Sequence, residues 1–318
     1  MKKYLYTLIV PHYALPGSLG CLLESLPQRE DLQVVVVDDG SDAATLGQVR
    51  ELCEAYRNVS LLVEENRGAG SARNKGLEAA EGEWILFADA DDRFLPALSQ
   101  VLDEVEKSEE NTENASERLD VIYFNASCKH EDPKQESFKT AHLNWMMQQT
   151  EEVRDFHLRY LFTEPWCKLI RRSLIEEHAI RFEETRIQND VHFSISVGHF
   201  ARRIEVFTTP VYQVNDRSGS VAKQISPERY LEWTGVQARQ NLFFRQNGVN
   251  YFEYKALRPM LNYLAHGRWN LACRCAGVLK REGELSSVQI LLRTLAYPFA
   301  LVRKVLLKRR QRKFVIHP

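Results

Sequence analysis

Apolar positions recur along the first ninety residues in short blocks separated by amphipathic segments. Tyr4 to Val10 is apolar and β-rich and stops at Pro11. Leu15 to Leu26 carries leucines at 19, 22, 23 and 26, the spacing of one helical face. Val34 to Val37 is an unbroken β-branched run, as expected of a strand buried on both faces. Leu46 to Tyr56 predicts a second helix, Val59 to Val63 a third strand, and Ser71 to Ala80 a third helix ended by Gly82. Trp84 to Ala88 is again apolar and of strand length. It stops abruptly at Asp89-Ala90-Asp91-Asp92, with Pro96 close behind. This alternation predicts a parallel sheet with helices on both faces.

The pattern then loosens. Residues 106 to 118 are polar and read as a surface loop, Asp120 to Asn125 as a strand, and Lys129 to Lys139 as polar chain. Val153 to Phe162 predicts a helix, and Trp166 to Ile180 contains another. After Asp190, the apolar residues Val191, Phe193, Ile195 and Val197 alternate with strand period. Ile204 to Tyr212 predicts a returning strand, Arg217 to Ser220 a loop, and Tyr230 to Gln246 and Phe252 to Tyr263 two helices without chemical motifs.

Chemistry gathers where strands end. Val34 to Val37 runs into Asp38-Asp39-Gly40-Ser41, and Trp84 to Ala88 into the Asp89 to Asp92 cluster. Parallel strands of one sheet place their carboxyl ends along one edge, where open α/β sheets bind ligands. Between the two acidic turns lie the loop Glu65 to Gly70 and Arg73. Asp89 and Asp91 share a target only if the backbone kinks, and converging carboxylates suit a hard divalent cation. The alternative is a solvated acidic turn that caps a helix. The glycine loop has neither a GxGxxG fingerprint nor the Lys-Ser/Thr of a phosphate-cradling P-loop, which argues against a dinucleotide or ATP cradle.

Composition is that of an ordinary globular chain, with 318 residues, 44% hydrophobic and 27% charged. The formal charge of −1 is unevenly distributed. Residues 284 to 318 hold eight Lys/Arg against one acid, a net +7, which leaves −8 elsewhere. In that tail Leu291, Leu292, Leu295, Phe299, Val302, Leu306 and Leu307 interleave with basic residues, predicting an amphipathic helix on an anionic membrane surface. The alternative is a helix packed on the domain with a solvated basic end. Nucleic acid is disfavoured as a partner, because leucines rather than stacking aromatics accompany the charges. The six cysteines form no CxxC pair, and no uninterrupted apolar run reaches spanning length. The apolar start reads as a first strand rather than a signal peptide.

Four ordered segments resemble family 2 glycosyltransferases: Ile9-Val10-Pro11-His12-Tyr13, Val36 to Ser41, Asn66 to Asn74 and Phe87 to Asp92. The similarity is strong over roughly the first 100 residues. It continues more weakly through Trp166 to Leu169, Asn189-Asp190 and Arg217 to Ser220. The resemblance implies an α/β GT-A fold, a Rossmann-like mostly parallel sheet flanked by helices, with a helical C-terminal extension. It divides the chain into a catalytic domain over 1–222 (nucleotide-binding half 1–105, acceptor-side half 119–222), a helical extension over 223–285 and the basic tail over 286–318.

It further implies inverting transfer of a sugar from a nucleotide-diphosphate donor, a UDP-sugar, to a glycan or lipid-linked acceptor. Pro11 and Tyr13 would line the base pocket, and Asp39 would accept a hydrogen bond from the base. Arg73 would lie near the nucleotide, Asp89 near the ribose or metal, and Asp91 on Mg²⁺ or Mn²⁺. Asp190 would be the base, at the start of a helix rather than a strand. Surface polysaccharide assembly on the cytoplasmic face of the membrane is the implied setting. Ala14 stands where the family usually has Asn, and Asn189 replaces the first acid of a Glu-Asp pair. These departures keep open an inactive assembly subunit of the same fold. A sugar-phosphate nucleotidylyltransferase is the other alternative, although His12 to Gly17 is not its basic glycine-rich signature.

Overall fold

The computed structural model describes residues 4–110, 118–130, 139–216, 226–249, 254–283 and 285–295. It divides into two compact units, Met1–Lys223 and Gln224–Pro318.

The first unit is built on one eight-stranded sheet of order β3-β2-β1-β4-β7-β6-β8-β5. Strands β1 (Tyr6–His12), β2 (Leu32–Asp39), β3 (Val59–Glu64) and β4 (Trp84–Phe87) are mutually parallel. They are joined through α1 (Pro16–Glu24), α2 (Ala43–Glu54) and α3 (Ala69–Glu78). Every residue of β2 and β4 is buried, which explains their continuous apolar spelling. Pro11 does not close β1 but lies inside it. On the β4 side the ladder ends where Ala88 N–H donates to Ile9 C=O at 3.2 Å. Pro11, two residues further on, therefore needs no N–H.

Past the acidic turn, β5 (Arg93–Phe94) crosses to the far edge of the sheet, and α4 (Ala97–Glu110) follows. Strand β6 (Val121–His130) outruns the expected Asp120 to Asn125 because it pairs along the long β8 (Ile204–Asp216). Helices α5 (Ala141–Met147) and α6 (Glu151–Tyr160) come next. The segment from Trp166 to Ile180 does contain a helix, α7 (Arg172–Glu177), but it begins with an unforeseen strand, β7 (Lys168–Arg171). Four buried residues carry too little period to announce a strand. β7 runs antiparallel to β4 and β6 and joins the two halves of the sheet. The segment after Asp190 is helical, as the family resemblance implied: α8 (Val191–Phe200), with every residue from Val191 to Gly198 buried except His192.

Aromatic rings fill the core beneath the sheet's carboxyl edge. Phe182 stacks on Phe193 at 3.9 Å, and Phe87 meets both rings edge-on at 5.1 and 5.4 Å. These contacts fix the chain that precedes Asp190 against the strand that precedes Asp89.

The second unit is helical: α9 (Pro227–Gln246), a 3₁₀ turn (Tyr254–Leu257), α10 (Arg258–Ala265), α11 (Trp269–Arg281) and α12 (287–295). Leu257, Met260, Tyr263, Cys275 and Leu279 pack together in its core. On α12, Val288, Leu291, Leu292 and Leu295 are 60–65% exposed, at the spacing of one helical face. The rest of the expected amphipathic tail lies outside the described residues. Among the described residues, no helix is long and apolar enough to cross a membrane.

Candidate active site

The site begins at the ends of β1 and β2. Asp38 is fully buried and held by three groups. Ser41 donates to it through its backbone N–H at 2.8 Å and its hydroxyl at 2.7 Å, and His12 Nδ1 lies 2.7 Å away. His12 Nε2 accepts the Leu15 N–H at 3.1 Å, so Nδ1 carries the proton and donates to Asp38. Asp38 is thus a structural anchor for the turn. Asp39 faces the glycine loop instead, where its carboxylate accepts Arg67 N–H at 2.7 Å and Gly68 N–H at 2.9 Å. Gly68 adopts φ 100°, a conformation open to glycine. Ala14 has φ 53°, where Asn is far better tolerated than Ala. The asparagine that the family resemblance implies at this position would therefore have a backbone reason.

Beyond β4 the chain does kink. Asp92 N–H donates to Asp89 C=O at 3.0 Å, closing a tight turn that brings carboxylate oxygens of Asp89, Asp91 and Asp92 within 4.8 Å of one another. Strand β8 holds this turn. The Tyr212 hydroxyl accepts Asp89 N–H at 3.0 Å and donates to Asp92 at 2.9 Å. Asn215 donates its backbone N–H to Asp92 and its side-chain amide to Asp91 C=O, at 2.8 and 2.6 Å. Burial, then the neighbouring Asp89 and Asp91 charges, push Asp92 up to about 8. Three all-oxygen donors held against their mutual repulsion match the donor set of a hard divalent cation, so the residues present fit Mg²⁺ or Mn²⁺.

Arg73 joins the two halves. Nearly buried on α3, it donates to Asp89 at 2.7 Å and to the Asn189 side-chain carbonyl at 2.9 Å, and its guanidinium sits 5.4 Å over the Phe182 ring. Asn189 thus accepts from the arginine without adding a charge. The chain carrying it is strapped onto α3: Asn74 exchanges hydrogen bonds with the backbone of Phe182 at 2.8 and 3.0 Å. A Cβ on Gly70 would lie 2.1 Å from the Glu183 carbonyl, so the close approach requires glycine.

Asp190 sits at the N-cap of α8, yet its side chain accepts no capping hydrogen bond. Its carboxylate is not consumed by the helix. Burial pushes Asp190 up to about 6, and Glu164 and Asp89 push the same way against the Arg73 cation. A carboxylate titrating near there is a stronger base at neutral pH than an ordinary surface aspartate. Below it, Lys168 on β7 is fully buried, donates to the carbonyls of Phe162 and Glu164 at 2.7 Å each, and is pushed down to about 7 by burial.

Of the residues singled out from sequence, Asp39, Arg73, Asp89 and Asp91 lie along the carboxyl edge of β1, β2 and β4, and Arg73 links this group to the Asn189-Asp190 pair. Pro11 ends the same edge, and Tyr13 beside it is 52% exposed. Arg217 to Ser220 lies outside the described residues. Sequence reasoning missed Tyr212, Asn215, Glu164 and Lys168 as shapers of the site. Lys168 had one available signal, a lysine within an apolar run.

A family model described as Glycosyl transferase family 2 matches residues 7–179, more than half of the chain. The chain belongs to this family of sugar transferases. EpsH of Bacillus subtilis (strain 168), which carries a glycosyltransferase name, is 26% identical over 257 residues, 78% of this chain and 71% of that protein. The poly(ribitol-phosphate) beta-N-acetylglucosaminyltransferase TarS of Staphylococcus aureus (strain Mu50) is 29% identical over 245 residues, 71% of this chain but only 39% of TarS. Among solved structures, S. aureus TarS 1-349 in complex with UDP-GlcNAc superposes with TM-score 0.58 at 20% identity, covering 87% of this chain and 92% of that one. The fold is accordingly the GT-A fold that the motifs implied, and the family's chemistry is glycosyl transfer.

Proposed function

We propose that this chain transfers a sugar, with inversion, from a UDP-sugar to a hydroxyl of a glycan or lipid-linked acceptor. The observation that carries the proposal is the tie through Arg73 between an acidic turn fit for a cation and Asp190, a carboxylate free of capping duty. That TarS binds UDP-GlcNAc and is named for a poly(ribitol-phosphate) acceptor supports the donor and acceptor classes.

In this reading Pro11 and Tyr13 line the base pocket. Asp39 shapes the donor loop through Arg67 and Gly68 and offers its remaining lone pairs to the base. Asp89 faces the ribose and the cation, and Asp91 the cation. Arg73 acts on the donor through Asp89. A divalent cation bound at the turn supplies Lewis-acid stabilisation of the diphosphate leaving group. Asp190 takes the proton of the acceptor hydroxyl as its oxygen attacks the anomeric carbon and the bond to the diphosphate breaks. A single displacement inverts the centre, so an α-linked donor gives a β-linked product. The exposed apolar face of α12 and the basic run beyond it suit an anionic membrane surface on the cytoplasmic side, as in assembly of a surface polysaccharide.

The test is nucleotide release from UDP-, GDP- and dTDP-sugars with Mn²⁺ or chelator, on wild type and Asp91→Ala, with calorimetric donor binding alongside. Metal-dependent release from one UDP-sugar, lost in the variant, is the expected result. Silence together with undetectable donor binding refutes the proposal in favour of an inactive assembly subunit. Formation of nucleotide sugar from a triphosphate and a sugar phosphate refutes it in favour of a nucleotidylyltransferase.

A further inference from the structure

Three side chains on α5 and after α6 lie outside the transfer chemistry above. Trp145 on α5 is 53% exposed and rests against the His157 ring at 5.3 Å. One turn earlier on the same helix face, His142 Nε2 meets Glu164 Oε1 at 3.0 Å. The other carboxylate oxygen, Glu164 Oε2, is buried and has no hydrogen-bond partner among the described residues. Glu164 in turn lies close enough to Asp190 for its charge to raise that carboxyl.

A buried acceptor without a donor costs about 1–3 kcal/mol unless a ligand or water supplies one. An exposed indole presents an electron-rich face that attracts C–H groups. A sugar answers both, because one ring face is a patch of C–H bonds and its rim carries hydroxyl donors. An acyl chain would cover Trp145 but leave the Glu164 Oε2 acceptor without a donor.

We propose that Trp145, His142 and Glu164 form an acceptor subsite for carbohydrate. A pyranose ring stacks on Trp145 and donates a hydroxyl to Glu164, which turns the reacting hydroxyl toward Asp190. The inference rests on the transferase reading and narrows its acceptor from any hydroxyl to a saccharide.

The experiment titrates the full chain, saturated with UDP and Mn²⁺, against oligosaccharides ending in glucose, galactose, N-acetylglucosamine or rhamnose, read by saturation-transfer NMR. Wild type is expected to bind at least one. Trp145→Ala weakens that binding about tenfold, equivalent to ~1.4 kcal/mol, and Trp145→Phe retains most of it. Glu164→Gln weakens it while leaving the stacking signals of the ring protons in place. UDP binding to wild type is measured in parallel. Its absence refutes the transferase reading. UDP binding with no saccharide bound, or with saccharide binding unchanged in Trp145→Ala, refutes the subsite alone. Trp145-dependent binding to neutral lipid vesicles in place of saccharide also overturns it.

Discussion

Arg73→Met separates two roles that the residue could play, brace or nucleotide ligand. The guanidinium is 7% exposed and its partner Asp89 37% exposed. Removing one member of a fully buried pair costs about 3–5 kcal/mol, because the other charge stays behind unpaired. Solvent at Asp89 screens that charge, which reduces the loss to ~2 kcal/mol. For a unit of this size, that corresponds to a fall in Tm of roughly 4–8 °C. The Asn189 bond is lost with it, which adds to the effect. The assay is thermal unfolding followed by circular dichroism, with UDP affinity by calorimetry. The brace predicts a large fall in Tm and a modest loss of UDP affinity through a displaced Asp89. It also predicts that the acid limb of kcat/KM moves to higher pH, since the Arg73 cation favours ionised Asp190. A Tm within about 1 °C of wild type, combined with loss of UDP binding, refutes the brace and makes Arg73 a direct ligand.

Four further outcomes follow from other parts of the site. In wild type, transfer falls as pH drops through about 6, because protonated Asp190 cannot accept the acceptor's proton. Asp190→Asn lowers the rate about 10²–10⁴-fold while UDP binding persists, and full retained transfer removes Asp190 from the base role. Ala14→Asn relieves the strain of φ 53° and raises stability by ~1 kcal/mol in denaturant titration; no gain means that the turn is already relaxed. Gly70→Ala forces a Cβ against the Glu183 carbonyl, lowers stability by about 1–3 kcal/mol, and displaces Asn189 and Asp190. Transfer should then suffer more than UDP affinity, and equal losses would argue against the strap.

The half of the sheet from β1 to β4 was legible because its signals are local. Valines from 34 to 37 spell a buried strand, and acids that end two apolar blocks are visible without a third dimension. The kink that Asp89 and Asp91 needed was named from spacing alone, and it exists. The half beyond the acidic turn was obscure for physical reasons. Helix α8 is buried almost all round, so it has no polar stripe, and Val191, Phe193, Ile195 and Val197 imitate a strand. Only the resemblance pointed to a helix. Strand β7 is four residues long and buried throughout, so neither helix nor strand period can register. Tyr212 and Glu164 act through contacts that no local pattern encodes.

The bonds that hold the acidic turn come from far along the chain. Tyr212 is 123 residues from Asp89, and Asn189 is 116 from Arg73. At synthesis rates of about 5–20 residues per second, roughly 6–25 s pass between translation of the turn and translation of the tyrosine that fixes it. During that interval the nascent chain carries its cluster of aspartates with no strand to hold them. Closing so long a loop also comes late among folding events. If the turn holds the donor as proposed, that competence waits for β8, and UDP binding should be among the last properties to return on refolding.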